Sequence, residues 1–279
     1  MGEPQANTIH CEHCGAGDAV LFIHGMPTSG RLWQGVTMRL QDRFSCFTID
    51  LPGLGRSQRE RYGPDFLERL AERVDALRIS KGIRQWHVVG HDAGSVVAVH
   101  YAHAFPERVL QLALLAPALF PDLRPFYLIE PLRKPVIGEL LAPLIRLLFW
   151  RVAMLRALSG AELGASAVAD FYKPFAGPAG AWRFMNVLRW GKPAEVLARV
   201  PEFLSRIAAP TLIMHGAHDV AIPELFAHRA AALMPNARVM IVDSSHFMPL
   251  AQAPAVASAL TEFFAGGNPG AAPLRVGHA

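Results

Sequence analysis

Cysteine is scarce in this chain. Three among 279 residues are too few for a disulfide framework, and a chain this long buries enough apolar surface to need no such staple. Cys11 and Cys14 form a C-x-x-C with His10 and His13 interleaved. No second Cys/His pair follows at zinc-site spacing, so no metal is expected and the run is read as part of a small N-terminal β-ribbon. Charge is thin as well: 18% of residues are charged, the net charge is +4, and no run of five like charges occurs. That excludes the basic stripe of a nucleic-acid binder. Residues Met1-Gly2-Glu3-Pro4-Gln5 offer neither a basic n-region nor an apolar h-region, so a cytoplasmic location is expected. A clean membrane-length apolar run is missing too. The richest candidate, 140–158, is interrupted by Pro143, Arg146, Arg151 and Arg156, whose spacing spreads charge around a helix and fits a buried or lid helix. Internal repeats are absent.

What is present is apolar sequence, 52% of the chain, arranged in alternating short runs and longer periodic stretches. Residues 19–23 are an unbroken apolar run of the kind buried on both faces of a parallel sheet, and 44–49 and 110–115 are read as further strands, the latter buried. Helices are expected over 32–40 and about 64–80, the latter with Phe66, Leu70, Val74 and Leu77 at three- and four-residue spacing. From Pro117 to about Pro201 the pattern changes: prolines 117, 121, 125, 131, 135 and 143 break the first part into short pieces, and the rest shows helical signals without strands. Strand-like sequence resumes at 211–214, a helix follows near 223–234, then a strand at 238–242 and a helix at about 254–264. The order predicts an α/β protein with a mostly parallel, doubly wound sheet. Its core is 1–116 with 202–265, a helical cap fills 117–201, and the Gly/Pro/Ala-rich tail 266–279 is flexible.

The chain is organised around Val88-Val89-Gly90-His91-Asp92-Ala93-Gly94-Ser95, a strand running into Gly-x-Asp-x-Gly and then an apolar helix over 96–105. This is the pattern of a nucleophile elbow, where two glycines let strand and helix crowd together and the middle side chain, here Asp92, stands above the sheet. Asp92, Asp219 and His246 each follow a predicted strand, and strand ends of a doubly wound sheet face one crevice. Each has a plainer reading: Asp92 as a structural relic, Asp219 as a helix cap before Pro223, His246 as a core histidine. Asp243 is a rival partner for His246.

The residues His24-Gly25-Met26-Pro27-Thr28-Ser29, Asp50-Leu51-Pro52-Gly53-Leu54-Gly55-Arg56-Ser57, Gly90-His91-Asp92-Ala93-Gly94, His215-Gly216-Ala217-His218-Asp219 and Ser245-His246-Phe247 occur in one order. Together they resemble the α/β-hydrolase fold, in its haloalkane dehalogenase and epoxide hydrolase branch. The resemblance covers the chain to about Phe264. It implies that Asp92 attacks an alkyl carbon to form an ester, that His246 activates water to cleave it, and that Asp219 orients the imidazole. Backbone N–H groups of Met26 and Ala93 would form the oxyanion hole.

The resemblance also frames the leaving group. Haloalkane dehalogenases carry a tryptophan after the nucleophile and often an asparagine in the first loop; here Ala93 and Met26 stand there. Epoxide hydrolases use lid tyrosines, for which Tyr172 and Tyr127 are candidates, although Leu188 replaces a tyrosine in Met185-Asn186-Val187-Leu188-Arg189. Trp33 and Trp182 are further candidates to bind substrate or leaving group. Epoxide opening to a diol is therefore the leading expectation and dehalogenation the alternative. An esterase or lactonase with Asp92 as base, or a non-catalytic binder of small molecules, also remain. The expected partners are an apolar small molecule and water, with no cofactor, no nucleic acid and no membrane span; a homodimer is left open.

Overall fold

Short, mostly apolar segments become the strands of one sheet. The computed structural model, which describes residues 9–60, 62–124, 129–150, 154, 165–189 and 193–266, places β1 (Cys11–Cys14), β2 (Asp18–Ile23), β3 (Phe44–Ile49), β4 (Trp86–His91), β5 (Val109–Leu115), β6 (Thr211–Gly216) and β7 (Ala237–Val242) side by side. Their order is β1-β3-β2-β4-β5-β6-β7. All neighbours pair in parallel except β1, which runs antiparallel to β3 with Cys14 opposite Cys46. The expected N-terminal ribbon is thus no hairpin with β2. β1 joins the far edge of β3, the outermost parallel strand on that side, and all three cysteines are free.

Every residue of β4 is buried, as a central parallel strand requires when both faces are covered. The cover comes from α1 (Gln34–Leu40), α2 (Phe66–Ser80), α3 (Ala93–Ala104), α8 (Val200–Arg206), α9 (Leu225–Leu233) and, after the short α10 (Met248–Ala251), α11 (Ala253–Phe264). In α2 the stripe Phe66, Leu70, Val74 and Leu77 is buried, following the 3.6-residue period. Beneath it the Asp75 carboxylate accepts from Arg78 Nε at 2.7 Å and from the Tyr101 hydroxyl at 3.0 Å. The same guanidinium donates to the carbonyls of Ile83 at 2.5 Å and Arg84 at 3.1 Å, so this buried cation is fully engaged.

Between β5 and β6 the described residues form only helices and turns: α4 (Ile137–Leu148), α5 (Ala165–Tyr172), α6 (Gly180–Leu188) and α7 (Pro193–Leu197), with α8 leading into β6. Helix α4 continues through Pro143, where the proline pattern suggests a break. It is not a buried helix either: Ala142 and Ile145 face inward while Leu140 and Leu144 are exposed. Arg189 ties this region together by donating to both Glu139 oxygens and to the carbonyls of Leu132 and Lys134. No helix among the described residues is long and apolar enough to cross a membrane.

The chain passes from β2 to β3 on one side and crosses back to β4 on the other. A crevice therefore opens beyond the C-terminal ends of β2 and β4.

Candidate active site

At that crevice β4 ends with His91 and α3 starts with Ala93, leaving Asp92 alone at the corner with φ 50° and ψ −122°. A non-glycine residue in this region is strained by about 1–3 kcal/mol and is held there by its surroundings. The holding contacts are visible. The Asp92 N–H donates to the Leu115 carbonyl and the Asp92 carbonyl accepts from Ser95, both at 3.0 Å. A Cβ on Gly94 would stand 2.4 Å from the Ile23 carbonyl oxygen, so only glycine lets α3 approach β2 this closely.

The loop after β2 meets the corner from the other side. His24 is fully buried; its Nδ1–H donates to Gly25 O at 2.8 Å and its Nε2 accepts from Leu51 N–H at 2.9 Å. Both ring nitrogens are thereby committed, and burial lowers its pKa against the pull of Asp50. The pinned loop aims the Met26 N–H at Asp92 Oδ2, 2.9 Å away, and the Ala93 N–H also donates to this carboxylate. The carboxylate is thus held by backbone donors, with the Met26 N–H on Oδ2.

His246 follows β7 and is 3% exposed. Its Nδ1–H donates to Asp219 Oδ2 at 2.8 Å, while Asp219 Oδ1 accepts the N–H groups of Ala221 at 2.7 Å and Ile222 at 3.0 Å. Asp219 therefore caps the turn before Pro223 and partners the histidine at once. Asp243 pairs instead with His218 at 2.9 Å on the surface. Desolvation alone would lower the His246 pKa, but the charge and hydrogen bond of Asp219 and the charge of Asp92 outweigh it and raise it. Desolvation likewise raises Asp219, and the His246 charge with three hydrogen bonds brings its pKa below the usual carboxylate range. For Asp92 desolvation wins over the pull of His246 and the two backbone donors, and its pKa is raised.

His91 Nε2–H donates to the His246 carbonyl at 3.0 Å, and burial pushes its pKa down to about 3. His215 donates to the Ile222 carbonyl at 2.9 Å. Both are neutral braces of the loops around His246 and Asp219.

A cavity of about 160 Å³ joins these parts, of the scale that holds a benzene-sized guest. From the sheet side it is lined by Met26, Asp92, Ala93, Val96, His246 and Phe247, and from the region between β5 and β6 by Leu123, Ile129, Phe149, Leu188 and Leu197. Of the residues expected to touch substrate, Trp33, Tyr172 and Trp182 are not brought to it. Trp33 is fully enclosed against Phe22 and His91. Tyr172 packs on Trp150 under the Arg146 guanidinium, and Trp182 is exposed on α6. Tyr172 and Trp182 lie on helices between β5 and β6 and Trp33 on the 3-10 turn Gly30–Trp33, and which side of such a helix faces the cavity is set by tertiary packing. Tyr127 lies outside the described residues. The two ionisable lining residues that sequence reading misses are Arg124 and Arg133; isolated arginines in a proline-broken stretch look like solvated loop residues.

Residues 18–251 match the family model described as the alpha/beta hydrolase fold. A haloalkane dehalogenase of Mesorhizobium japonicum is 27% identical over 276 residues, covering 89% of this chain and 84% of its own. An uncharacterized protein of Mycobacterium tuberculosis (strain ATCC 25618 / H37Rv) is 29% identical over 255 residues, 86% of this chain and 73% of its own. Among solved structures, the epoxide hydrolase CorEH superposes with a TM-score of 0.75 at 20% identity over 92% of this chain and 95% of its own. At that identity the likeness is one of fold.

Proposed function

The chain belongs to the α/β-hydrolase fold family, and from that premise we propose that it hydrolyses an apolar small molecule at an alkyl carbon through an ester on Asp92. The observation that carries this reading is a carboxylate at the strained elbow, with Oδ2 held by the Met26 N–H and with the His246–Asp219 pair lining the same cavity or buried behind it. A serine oxygen attacking a saturated carbon would leave an ether, which activated water does not cleave. A carboxylate leaves an ester, which it does.

In the first step Oδ1 of Asp92 attacks the carbon and the bond to the leaving atom breaks; a halogen departs as halide, and an epoxide oxygen opens to an alkoxide that takes a proton from solvent water. In the second, Nε2 of His246 takes a proton from water, its Nδ1–H being committed to Asp219. The water oxygen adds to the Asp92 carboxyl carbon. The Met26 and Ala93 N–H groups take the resulting oxyanion, collapse expels the product alkoxide, which takes the proton from His246, and the Asp92 carboxyl gives up its remaining proton to solvent. The product carries away an oxygen of Asp92, and the oxygen of water replaces it. The helical region between β5 and β6 serves as the cap that closes the cavity from water.

Epoxide opening to a diol is the leading form of this reaction. The lining residues among those described include neither tryptophan nor asparagine to hold a departing halide; they include no tyrosine either, but the strain of a three-membered ring drives its C–O bond open, and the oxygen stays tethered to the ester while it is protonated. Dehalogenation is the second reading, favoured by the similarity to a haloalkane dehalogenase over most of both chains.

Styrene oxide and 1-bromobutane separate the two: diol without bromide is expected, and bromide release without diol reverses the order. A single turnover in heavy-oxygen water should label the Asp92 carboxylate. Labelled product with unlabelled Asp92 would falsify the ester. His246→Gln should accumulate an adduct on Asp92 visible in the intact mass.

A further inference from the structure

The cavity is apolar except for four ionisable side chains: Asp92, His246, Arg124 and Arg133. The two arginines stand apart because neither has a hydrogen-bonding or ion-pair partner among the described residues. Acids do lie close by in sequence, and each is committed elsewhere. Asp122 receives both its bonds from Arg229, at 2.8 and 2.7 Å. Glu139 is taken by Arg189 at 2.5 and 3.2 Å. Glu130 attracts Arg133 through space without closing an ion pair.

Arg133 is half-buried, and desolvation lowers its pKa. A guanidinium drawn out of water toward an apolar cavity without a counter-charge is unfavourable unless an anion arrives to meet it. Its position is also braced: Arg189 binds the carbonyls of Leu132 and Lys134, the residues on either side of it, at 2.7 and 3.0 Å. The planar fork of a guanidinium matches a carboxylate in two parallel hydrogen bonds. Arg124 is exposed and lies on the solvent side of the pair, where it adds attraction during entry.

We propose that Arg124 and Arg133 form an anion-recognition subsite, so that the substrate is an apolar molecule bearing one carboxylate, oriented with its reactive carbon toward Asp92. The proposal takes the cavity as the substrate site and rests on the reading above for the reaction, but its recognition half is tested without turnover.

The experiment is calorimetric titration of the full chain with phenylacetate and with phenylacetamide, which share shape and differ in charge. Phenylacetate should bind at least about tenfold more tightly, the scale of one charge-assisted hydrogen-bond pair. The Arg124→Gln/Arg133→Gln variant should bind the two alike, while Arg133→Lys should retain part of the preference. Equal affinities in the wild-type chain overturn the proposal whatever the variants do, as does a preference that survives both glutamines. 3-Phenylglycidate then separates this idea from the ester reading. Anion preference with no turnover of either 3-phenylglycidate or styrene oxide keeps the subsite and sinks the epoxide chemistry; diol formation with no anion preference does the reverse.

Discussion

Nδ1 of His246 stands 2.8 Å from Oδ2 of Asp219, and the other oxygen of that carboxylate is occupied by the N–H groups of Ala221 and Ile222. The carboxylate is thus fixed at both ends, and the imidazole has one available tautomer. Asp219→Asn keeps the shape but removes the acceptor that selects that tautomer. Its turnover should fall roughly 10³–10⁴-fold, whereas Asp243→Asn, which alters only a surface pair with His218, should stay within about twofold. Steady-state rates on one epoxide decide it; equal losses would disqualify Asp219 as the orienting acid.

The second expectation concerns pH. His246 must be neutral to act as base and Asp92 ionised to attack, and both pKa values are raised. Activity should accordingly be lost as pH falls through those values, with the acid limb above the ordinary histidine and carboxylate positions. Part of what raises His246 is the charge of Asp92, and that charge vanishes in Asp92→Asn as it would in the ester. The His246 midpoint, followed by proton NMR, should therefore move down in Asp92→Asn. An unchanged midpoint means that the two groups do not sense each other.

Gly25 supplies a geometric test. A Cβ there would lie 2.5 Å from the Asp92 Cβ and 2.6 Å from its Oδ2, so Gly25→Ala must push the carboxylate off the Met26 N–H. A displacement of this size should cost on the order of 10²-fold in kcat. Retention of wild-type kcat in a folded Gly25→Ala protein would show that the Oδ2 contact is dispensable.

Stability is tested at Asp75, remote from the cavity. Desolvation raises its pKa, but the Arg78 and Tyr101 hydrogen bonds and the Arg78 charge bring the balance below the usual carboxylate range. A lowered folded-state pKa contributes stability that is present above the unfolded value and lost as pH falls through the folded one. Asp75→Ala strands the buried Arg78 and should destabilise by about 3–5 kcal/mol, while Tyr101→Phe should cost about 1 kcal/mol. Urea unfolding at pH 7 gives both, and equal small losses would mean that Arg78 finds water or another partner.

Much of this architecture is legible in the sequence because short, mostly apolar segments bounded by Gly/Pro turn signals and alternating with longer periodic stretches read as strands between helices. The observed strands Phe44–Ile49 and Val109–Leu115 lie within a residue of where the runs stop. The elbow is legible for a different reason, since glycines at 90 and 94 answer to steric limits that no other residue meets. Partner choice is not local. Nothing within Cys11–Cys14 says that it pairs with β3 rather than β2. The helix through Pro143 shows packing overriding a breaker, because Ala142 and Ile145 bury themselves on either side of the proline. The cavity wall is least legible: which side of a helix between β5 and β6 faces inward depends on its neighbours, so Trp182 points out and Leu188 in. Arg124 and Arg133 become notable only once the structure assigns their acidic neighbours to Arg229 and Arg189.

The hydrogen bond from His91 to the carbonyl of His246 has a bearing on how such a chain can vary. Residue 91 adjoins the proposed nucleophile and accompanies the proposed base, so both are positioned from one reference point although 153 intervening residues, 93–245, separate them. Changes of length in the helices between β5 and β6 leave that shared reference point in place, because none of its residues lies there. Substrate preference can then diverge in the helices between β5 and β6 while the chemistry stays in register.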